Sequence, residues 1–579
     1  MKFSASEFEA AEPVFLLEIE WRGIVHRFAK VAIDIASNDG DLHYVGGLED
    51  FEYKEVTDIV GINIEQDSIS AALIFNDVDF VQEWRKGFVL DGSRAELSIV
   101  LFKNGAVQQT YEERQRLFVG YVSGSVFGDP LEPKGFVAFS IDAKPYDFEG
   151  KMLNPQEVIS PKTMTDAIIG TDLRVWDDSF GKAYPFVFGY AGEPWIDGNG
   201  DTFQPTFCTP AYIIGTARQA SEGKYEAADC FLLIAGHRVD ADKVVIRDQN
   251  YAYETLIVKE AVDNNGVLFS YVQTTQSTTL LTTPILTSSS GQSESEYEYW
   301  VQWGGVTALP SKNGGGALNS NGTGVLQLGG DVILHALRRT NALVDYAAWQ
   351  AIKPLLDGYK FSGYVNDIEV GAWDWVQQNI LKFLPVEARA GVDGLRPLVS
   401  LMFLQSGYLA SAYHVIEGSD FELASAIEMV TELDDIVNDY GLKFVWEGKN
   451  DNAIAAHRVT AVRAIDSIAI DSTSYAWTSQ NKYGVHKRVD SSYYIFDRDT
   501  AAKVCKDMVR SRAFAFRQFD CVANVKYGYL NVGDVIGLTS DTLYLNDAPV
   551  LIVAKAWIGE AWRFTLHIED NPNTTEHTT

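Results

Sequence analysis

Nine histidines, at positions 26, 43, 237, 335, 414, 457, 486, 567 and 577, are the first residues to weigh for metal or proton chemistry. No two stand at the i, i+4 spacing that puts paired imidazoles on one helical face, and no HExxH occurs. A metal would need a site gathered from distant positions, whereas scattered histidines ordinarily serve packing or surface. His567 reads as lying on the polar face of its strand. Asp197, Asn199 and Asp201 imitate the opening of a calcium loop, but Thr202 occupies the glycine position and Cys208 stands where a bidentate Glu belongs. Neither Gly181-Lys182 nor Gly223-Lys224 has a glycine at the spacing a phosphate-cradling loop requires. In GYVSG, Ser123 sits one place late for a GxSxG nucleophile elbow. Glu294, Glu296 and Glu298 beside Tyr297, Tyr299, Trp300 and Trp303 suggest a sugar platform with paired carboxylates. The same alternation describes a strand with one solvated and one packed face, which is the preferred reading. Cys208, Cys230, Cys505 and Cys521 are too scattered for a disulfide framework, a CxxC knuckle or an iron–sulfur site. The sequence assigns no catalytic, cofactor-binding or metal-ligating residue, implies no cofactor, and the expectation is a protein that is not an enzyme.

The chain must therefore act through surfaces, and its composition limits which. At 579 residues it exceeds what a single core supports, so about three to five domains are expected. Against 79 Asp and Glu there are 47 Lys and Arg, a net charge of −32, which argues against a general nucleic-acid binder held by phosphate neutralisation. With 46% hydrophobic residues, disorder of the whole chain is excluded. The start, MKFSASEFEAAEPV, lacks the apolar core of a secretory signal, so synthesis in a cytoplasm is expected. The uncharged stretch 398–416 contains Gln405, Ser406, Gly407, Ser411, Tyr413 and His414, and reads as two strands joined at Ser406-Gly407 rather than a membrane span.

From Val14 to about Lys144 short strands follow one another: FLLEIEW, SISAALIF, AELSIVLF, RLFVGYVSG and GFVAFSIDA, with turns at Arg22-Gly23 and Asn104-Gly105. This is a β-barrel or sandwich whose imperfect alternation fits strands buried on both faces. Ser160-Pro161 starts a short helix, KTMTDAII, closed by Gly170. GKAYPFVFGYAG, FLLIAG and DKVVIRD then imply a second β-rich region. Ser/Thr- and Gly-rich text from 274 to 330 marks loops or an insertion. Helical period appears in DVILHALRRTNALVDYAAWQAI, with Asp345 as a cap and Pro354 as the stop. Trp373, Val376, Ile380, Phe383 and Leu384 share a stripe, as do Ala501, Val504, Cys505, Met508 and Val509 of a later helix. YLNVGDVIGLT, APVLIVAKAW and AWRFTLHIED are strands of another small barrel, with Gly533 expected to take positive φ in its VGDV turn. The tail DNPNTTEHTT is expected to fray.

This order of parts resembles the tail (baseplate) hub proteins of long-tailed bacteriophages and gene transfer agents. RLFVGYVSG at 116–124 is similar to the small-residue strand of the hub's first barrel, and GKAYPFVFG at 181–189 to the segment opening the next part. LLDGYKFSGYV (355–365), a Trp-bearing helix and VDGLRPLVSLM (392–402) follow in the family's order. LDDIVNDYGLKFVWE, NKYGVHKRVDSSYYIFDRDTAAKVCKDMVRSRA and YLNVGDVIGLT carry the resemblance furthest.

The resemblance implies a mainly β, multi-domain chain with two tail-tube-like β-barrels and mixed α/β connecting domains. The divisions expected are an N-terminal barrel at 1–150, a β-rich second domain at 151–345 with flexible loops at 274–330, a mixed connecting domain at 346–425, and a barrel-containing hub domain at 426–579. It further implies a homotrimer at the tail tip of the virion, assembled in the host cytoplasm, whose six barrels adapt a six-fold tube to a three-fold tip. Its partners would be the distal tail protein, the tape measure protein and tail fibre or tip proteins. The host envelope would be met indirectly, and DNA would pass through the channel without specific binding. Two other classes compete. One is a tailspike-like carbohydrate-binding or carbohydrate-cleaving virion protein, supported by 13 Trp and 27 Tyr. The other is an adhesin or scaffold outside phage biology.

Overall fold

The computed structural model describes residues 5–8, 11–56, 68–74, 86–87, 89–127, 136–143, 148–154, 158–160, 179–190, 195–196, 200–203, 208–216, 219–221, 224–225, 230–239, 245–247, 252–255, 258–274, 299–302, 326–389, 391–399, 414–416, 421–447, 452–460, 472–543 and 545–570. Strands dominate, as the run of β-branched and aromatic residues between Gly and Asx-Gly turns demands. In the first segment β1 (Glu12–Trp21) turns back into β2 (Ile24–Ala29), with Arg22 at φ 55° and Gly23 at φ 79°, the paired positive φ values of a tight hairpin. β3 (Ile33–Ile35), β4 (Leu42–Gly46), β5 (Leu48–Val56) and β6 (Ser68–Ile74) follow. β7 (Arg94–Lys103) makes a second such hairpin with β8 (Ala106–Val107) through Asn104 and Gly105. β9 (Gln115–Phe127) and β10 (Phe136–Ala143) complete the set. Gly120 is required where β9 passes β10, because a Cβ there would stand 2.2 Å from the Asp142 carbonyl oxygen.

Strands from the far end of the chain extend the same sheet: β11 (His414–Ile416), β12 (Phe421–Leu423), β13 (Glu428–Met429), β14 (Phe516–Ala523), β15 (Val535–Ser540), β16 (Leu545–Trp557) and β17 (Trp562–Glu569). All 17 belong to one hydrogen-bonded sheet. β16 is the joint. Its first half pairs with β15, its second half with β17 on one side, and Ala554 to Trp557 pair antiparallel with Val56 to Tyr53 of β5. Where the sequence separates two barrels, the described residues instead form one continuous sheet, within a mainly β, multi-domain chain.

β1 explains why alternation was imperfect in the sequence. Phe15, Leu17, Ile19 and Trp21 enter the core shared with β14 and β17, while Leu16 on the opposite face packs with Ala29, Ile35, Tyr44 and Val100. A second sheet has the order 252–255, 245–247, 299–302, 208–216, 230–235, 268–274, 258–262, and places DKVVIRD and FLLIAG together. Phe231, Leu233, Phe269 and Tyr271 form its own cluster.

The middle core is built around helices α1 (Gly329–Arg339), α2 (Tyr346–Leu356), α3 (Ala372–Asn379), α4 (Ser472–Tyr483) and α5 (Arg498–Arg512). Asp345 caps α2 as expected, its side chain accepting from Ala348 N at 3.0 Å. Pro354 does not stop that helix. It lies in the last turn, where a proline removes one bond only, and the turn closes beyond it through Asp357 N to Lys353 O at 2.8 Å. Trp373, Val376, Ile380, Phe383 and Leu384 are all buried, as are Ala501, Val504, Cys505, Met508 and Val509 of α5. Leu398 and Val399 end a strand, Arg396–Val399, paired with Val386–Arg389, while β11 runs parallel to β15. The turn expected at Ser406-Gly407, the helix expected after Pro161, most of the loops between 274 and 330, and the C-terminal tail beyond Asp570 lie outside the described residues.

Candidate functional site

The joint at β16 concentrates the large side chains. Phe15 lies 5.0 Å from Trp557 and 6.0 Å from Trp562, ring centre to ring centre, and the two tryptophans are 4.9 Å apart. Tyr53 of β5 meets Trp562 edge-on at 6.4 Å. Burying each such ring contributes about 1.5–3 kcal/mol, so this cluster welds first segment to last. Lys555 is wholly buried inside it. Its ammonium donates to the Gly528 and Leu530 carbonyls at 2.6 and 2.7 Å and stands 4.2 Å from the Trp562 ring centre. The charge is satisfied by carbonyl dipoles and a π face, so it serves as a fastener rather than a reactive amine.

Within the first segment Glu18 accepts from Tyr44 OH at 2.7 Å, Tyr111 OH at 2.9 Å and Arg27 Nε at 3.0 Å. Burial, then the Glu18 charge, pushes both phenols above their ordinary pKa, so they remain donors. In the middle core Lys353 pairs with Asp331 at 3.1 Å and Asp357 at 2.6 Å, tying α1 to α2. These are structural networks, each held by its own neighbours.

The histidines behave likewise. His237 Nε2 accepts from Val187 N at 2.9 Å, so its Nδ1 carries the proton shared with the Arg238 carbonyl at 2.9 Å. Burial lowers its pKa to about 4 and keeps it neutral. His335 stacks on Phe186 at 4.6 Å, and burial holds its pKa well below the usual value. His567, expected on a polar face, is buried instead. Its strand lies between β14 and β16, and the imidazole pairs with Gln518 Oε1 at 2.7 Å and stacks on Phe516. Burial pushes the Cys505 thiol up to about 12 and Cys521 also upward, which removes the thiolate needed for reactivity.

The remaining sequence candidates are placed as follows. Asp201 is exposed, while Asp197 and Asn199 lie outside the described residues, as do the side chains of Cys208 and Cys230. Among the described residues no group of three or more His, Cys, Asp or Glu could hold a metal ion. Glu294, Glu296, Tyr297, Glu298 and Trp303 also lie outside, and of Tyr299 and Trp300 only the backbone is described, paired with Ala211 and Pro210.

Two surface features were missed by sequence reading. One is a pocket of about 100 Å³ between the middle core and the joined sheet, with Leu384, Leu398, Met508, Phe514 and Leu551 among its lining and Thr431, Asp435, Asp507 and Arg512 as polar members. The other adjoins it: β12 and β13 form a sheet edge on which Leu423, Ile427 and Met429 are exposed. Its signal stood in the sequence, since no Lys or Arg lies between Arg396 and Lys443 while acids recur from Glu417 to Asp439.

No family model matches the chain, and no curated protein does. Three solved structures are similar over much of its length. A tail protein from Neisseria meningitidis MC58 has 8% identity and a TM-score of 0.37, covering 97% of this chain and 98% of its own. A virion of a native gene transfer agent particle contains a chain with 11% identity and a TM-score of 0.38, over 71% of this chain and 89% of that one. The 43 kDa tail protein of prophage MuSo2 from Shewanella oneidensis has 9% identity and a TM-score of 0.32, over 98% of this chain and 100% of its own.

Proposed function

We propose that this chain is a non-enzymatic structural protein of a phage-type virion, a tail baseplate hub that forms a homotrimer at the distal end of the tail. The observation that carries the reading is the joint at β16. Because β5 and β16 share a ladder and an aromatic core, the first and last β-rich segments are held in one fixed relation. An adaptor between a six-fold tube and a three-fold tip needs that rigidity: each of three chains must present two β-units at constant spacing. The order of sequence segments described above supports the same reading.

In this role one ring face docks on the distal tail protein, the channel holds the end of the tape measure protein, and the tip anchors fibres. A net charge of −32 suits a channel whose carboxylates repel the phosphate backbone and let DNA pass. Negative-stain electron microscopy of the purified full chain tests the proposal. Three-fold rings around a central hole are expected. Particles that stay single in the presence of the tail-tube neighbours, or that bind or cleave host polysaccharide, would overturn it in favour of the glycan-active reading.

A further inference from the structure

The edge formed by β12 and β13 combines an unpaired outer side, exposed apolar side chains and charges of one sign. Its backbone pairs with β14 on one side, and among the described residues no strand pairs with its outer side. Its side chains are poorly covered: from Glu422 to Met429 every residue except Ser425 is exposed. Leu423, Ile427, Met429 and Leu433 are 39%, 43%, 52% and 54% exposed. Sheet edges are normally guarded by short strands, by charged side chains (lysine above all), by proline or by an inward charge, because unpaired N–H and C=O groups beside apolar side chains recruit another strand; this edge is short and every charge it carries is acidic. Residues 421–435 contain neither Lys nor Pro.

Charge and volume define what this edge would take. Glu422, Glu428, Glu432, Asp434 and Asp435 are all exposed along it. A second copy of the chain would set acid against acid, which cross-strand pairing disfavours. A basic strand would be attracted. At the C-terminal end of the edge, Thr431, Asp435 and Phe516 are also members of the pocket lined by Leu384, Leu398 and Met508. At about 100 Å³ that pocket falls well below the roughly 300–1,000 Å³ of small-molecule sites, and matches one apolar side chain.

We propose that the β12–β13 edge is a strand-addition site for an extended, basic segment of a partner protein, in which Lys or Arg alternates with aliphatic residues and one apolar side chain seats in the adjoining pocket. The added backbone continues the β14 ladder outward, the acids select the partner by charge, and the pocket fixes register. The inference does not depend on the ring proposed above.

The test uses the full chain and a ten-residue fluorescein-labelled peptide of alternating Lys and Leu, with a Glu-Leu peptide of equal length as control. Saturable binding of the Lys-Leu peptide alone is expected, with slowed hydrogen exchange of the amides of residues 422–430. Glu428→Lys with Glu432→Lys, and separately Met429→Lys with Leu433→Lys, should each weaken binding by about tenfold or more. Reversing two exposed acids elsewhere, Asp541→Lys with Glu560→Lys, should leave it within about twofold, because the effect is local. Equal weakening by that control, absence of binding, or binding without protection of residues 422–430 would overturn the proposal. So would a Met429→Lys with Leu433→Lys variant that changes the chain's own assembly in gel filtration while the peptide fails to bind the parent, since the edge then belongs to another copy. Rings that persist in the edge variants while the peptide no longer binds keep this outcome separate from the fate of the hub reading.

Discussion

Two places in one sheet meet opposite fates. At β16 the second half is paired on both sides, Trp562 is fully buried against the half-buried Trp557, and a buried ammonium is shared between two carbonyls. At β12 and β13 no strand among the described residues pairs with the outer edge, and Leu423, Ile427 and Met429 are exposed. The same hydrogen-bonding pattern thus serves internal cohesion in one region and leaves an unfinished ladder in the other. Cohesion comes from the side chains that cover a ladder, and a strand lacking that cover contributes little to folding.

The comparison can be broken most directly at Trp562. Trp562→Ala removes the ring that touches Phe15, Tyr53 and Trp557, and should cost about 3–5 kcal/mol. Urea unfolding followed by tryptophan fluorescence should then show the first and last segments melting in separate steps; a single unchanged transition would mean that the seam does not couple them. Lys555→Ala leaves two buried carbonyls without their donor and should cost about 3 kcal/mol, read from the same unfolding curves.

His237 gives a reference lying outside both regions. Its folded-state pKa of about 4 is below the ordinary value near 6.5, so the unfolded chain takes up the proton first. Its stabilising effect is therefore complete above about pH 6.5 and lost as pH falls toward 4, by at most about 3 kcal/mol. Unfolding free energies measured between pH 7 and 4 should show this slope in the parent and a flatter one in His237→Gln.

Gly533 sharpens the comparison within the C-terminal strands. It holds φ +86°, and a Cβ there would lie 3.0 Å from Leu398 Cδ1, so Gly533→Val should cost about 1–2 kcal/mol by combining left-handed strain with crowding. Unchanged melting and assembly would show that the turn tolerates a side chain. The smallest effect belongs to the open edge. Met429→Ser with Leu433→Ser should shift stability by less than about 0.5 kcal/mol, because these side chains bury little in the isolated chain. A larger loss by calorimetry would mean that the edge is already covered in solution.

Local features were legible to the extent that local physics fixes them. The Arg22-Gly23 and Asn104-Gly105 turns, the Asp345 cap and the apolar stripes of α3 and α5, with Cys505 on the latter, follow from φ preferences and periodicity, which operate over a few residues. Pro354 and His567 were misread for one shared reason. A proline in the last turn and a histidine on an alternating strand take their meaning from neighbours that periodicity does not name. The acidic run beside Leu423 and Met429 was visible as composition, but whether it faced water, a core or a partner strand was not.

By itself the sequence determined the class of the protein: a mainly β, acidic, multi-part chain whose residue types and spacings match no catalytic motif. Many strand and helix positions came with it, since side-chain alternation and caps act locally, but α4, β12 and β13 did not. Only the tertiary structure decided that β5 pairs with β16 across some five hundred intervening residues, that Lys555 is buried at that joint, and that β12 and β13 find no outer partner among the described residues. Which strand pairs with which depends on burying the aromatic faces of both ends together, and that free energy belongs to the assembled core rather than to any segment of the chain.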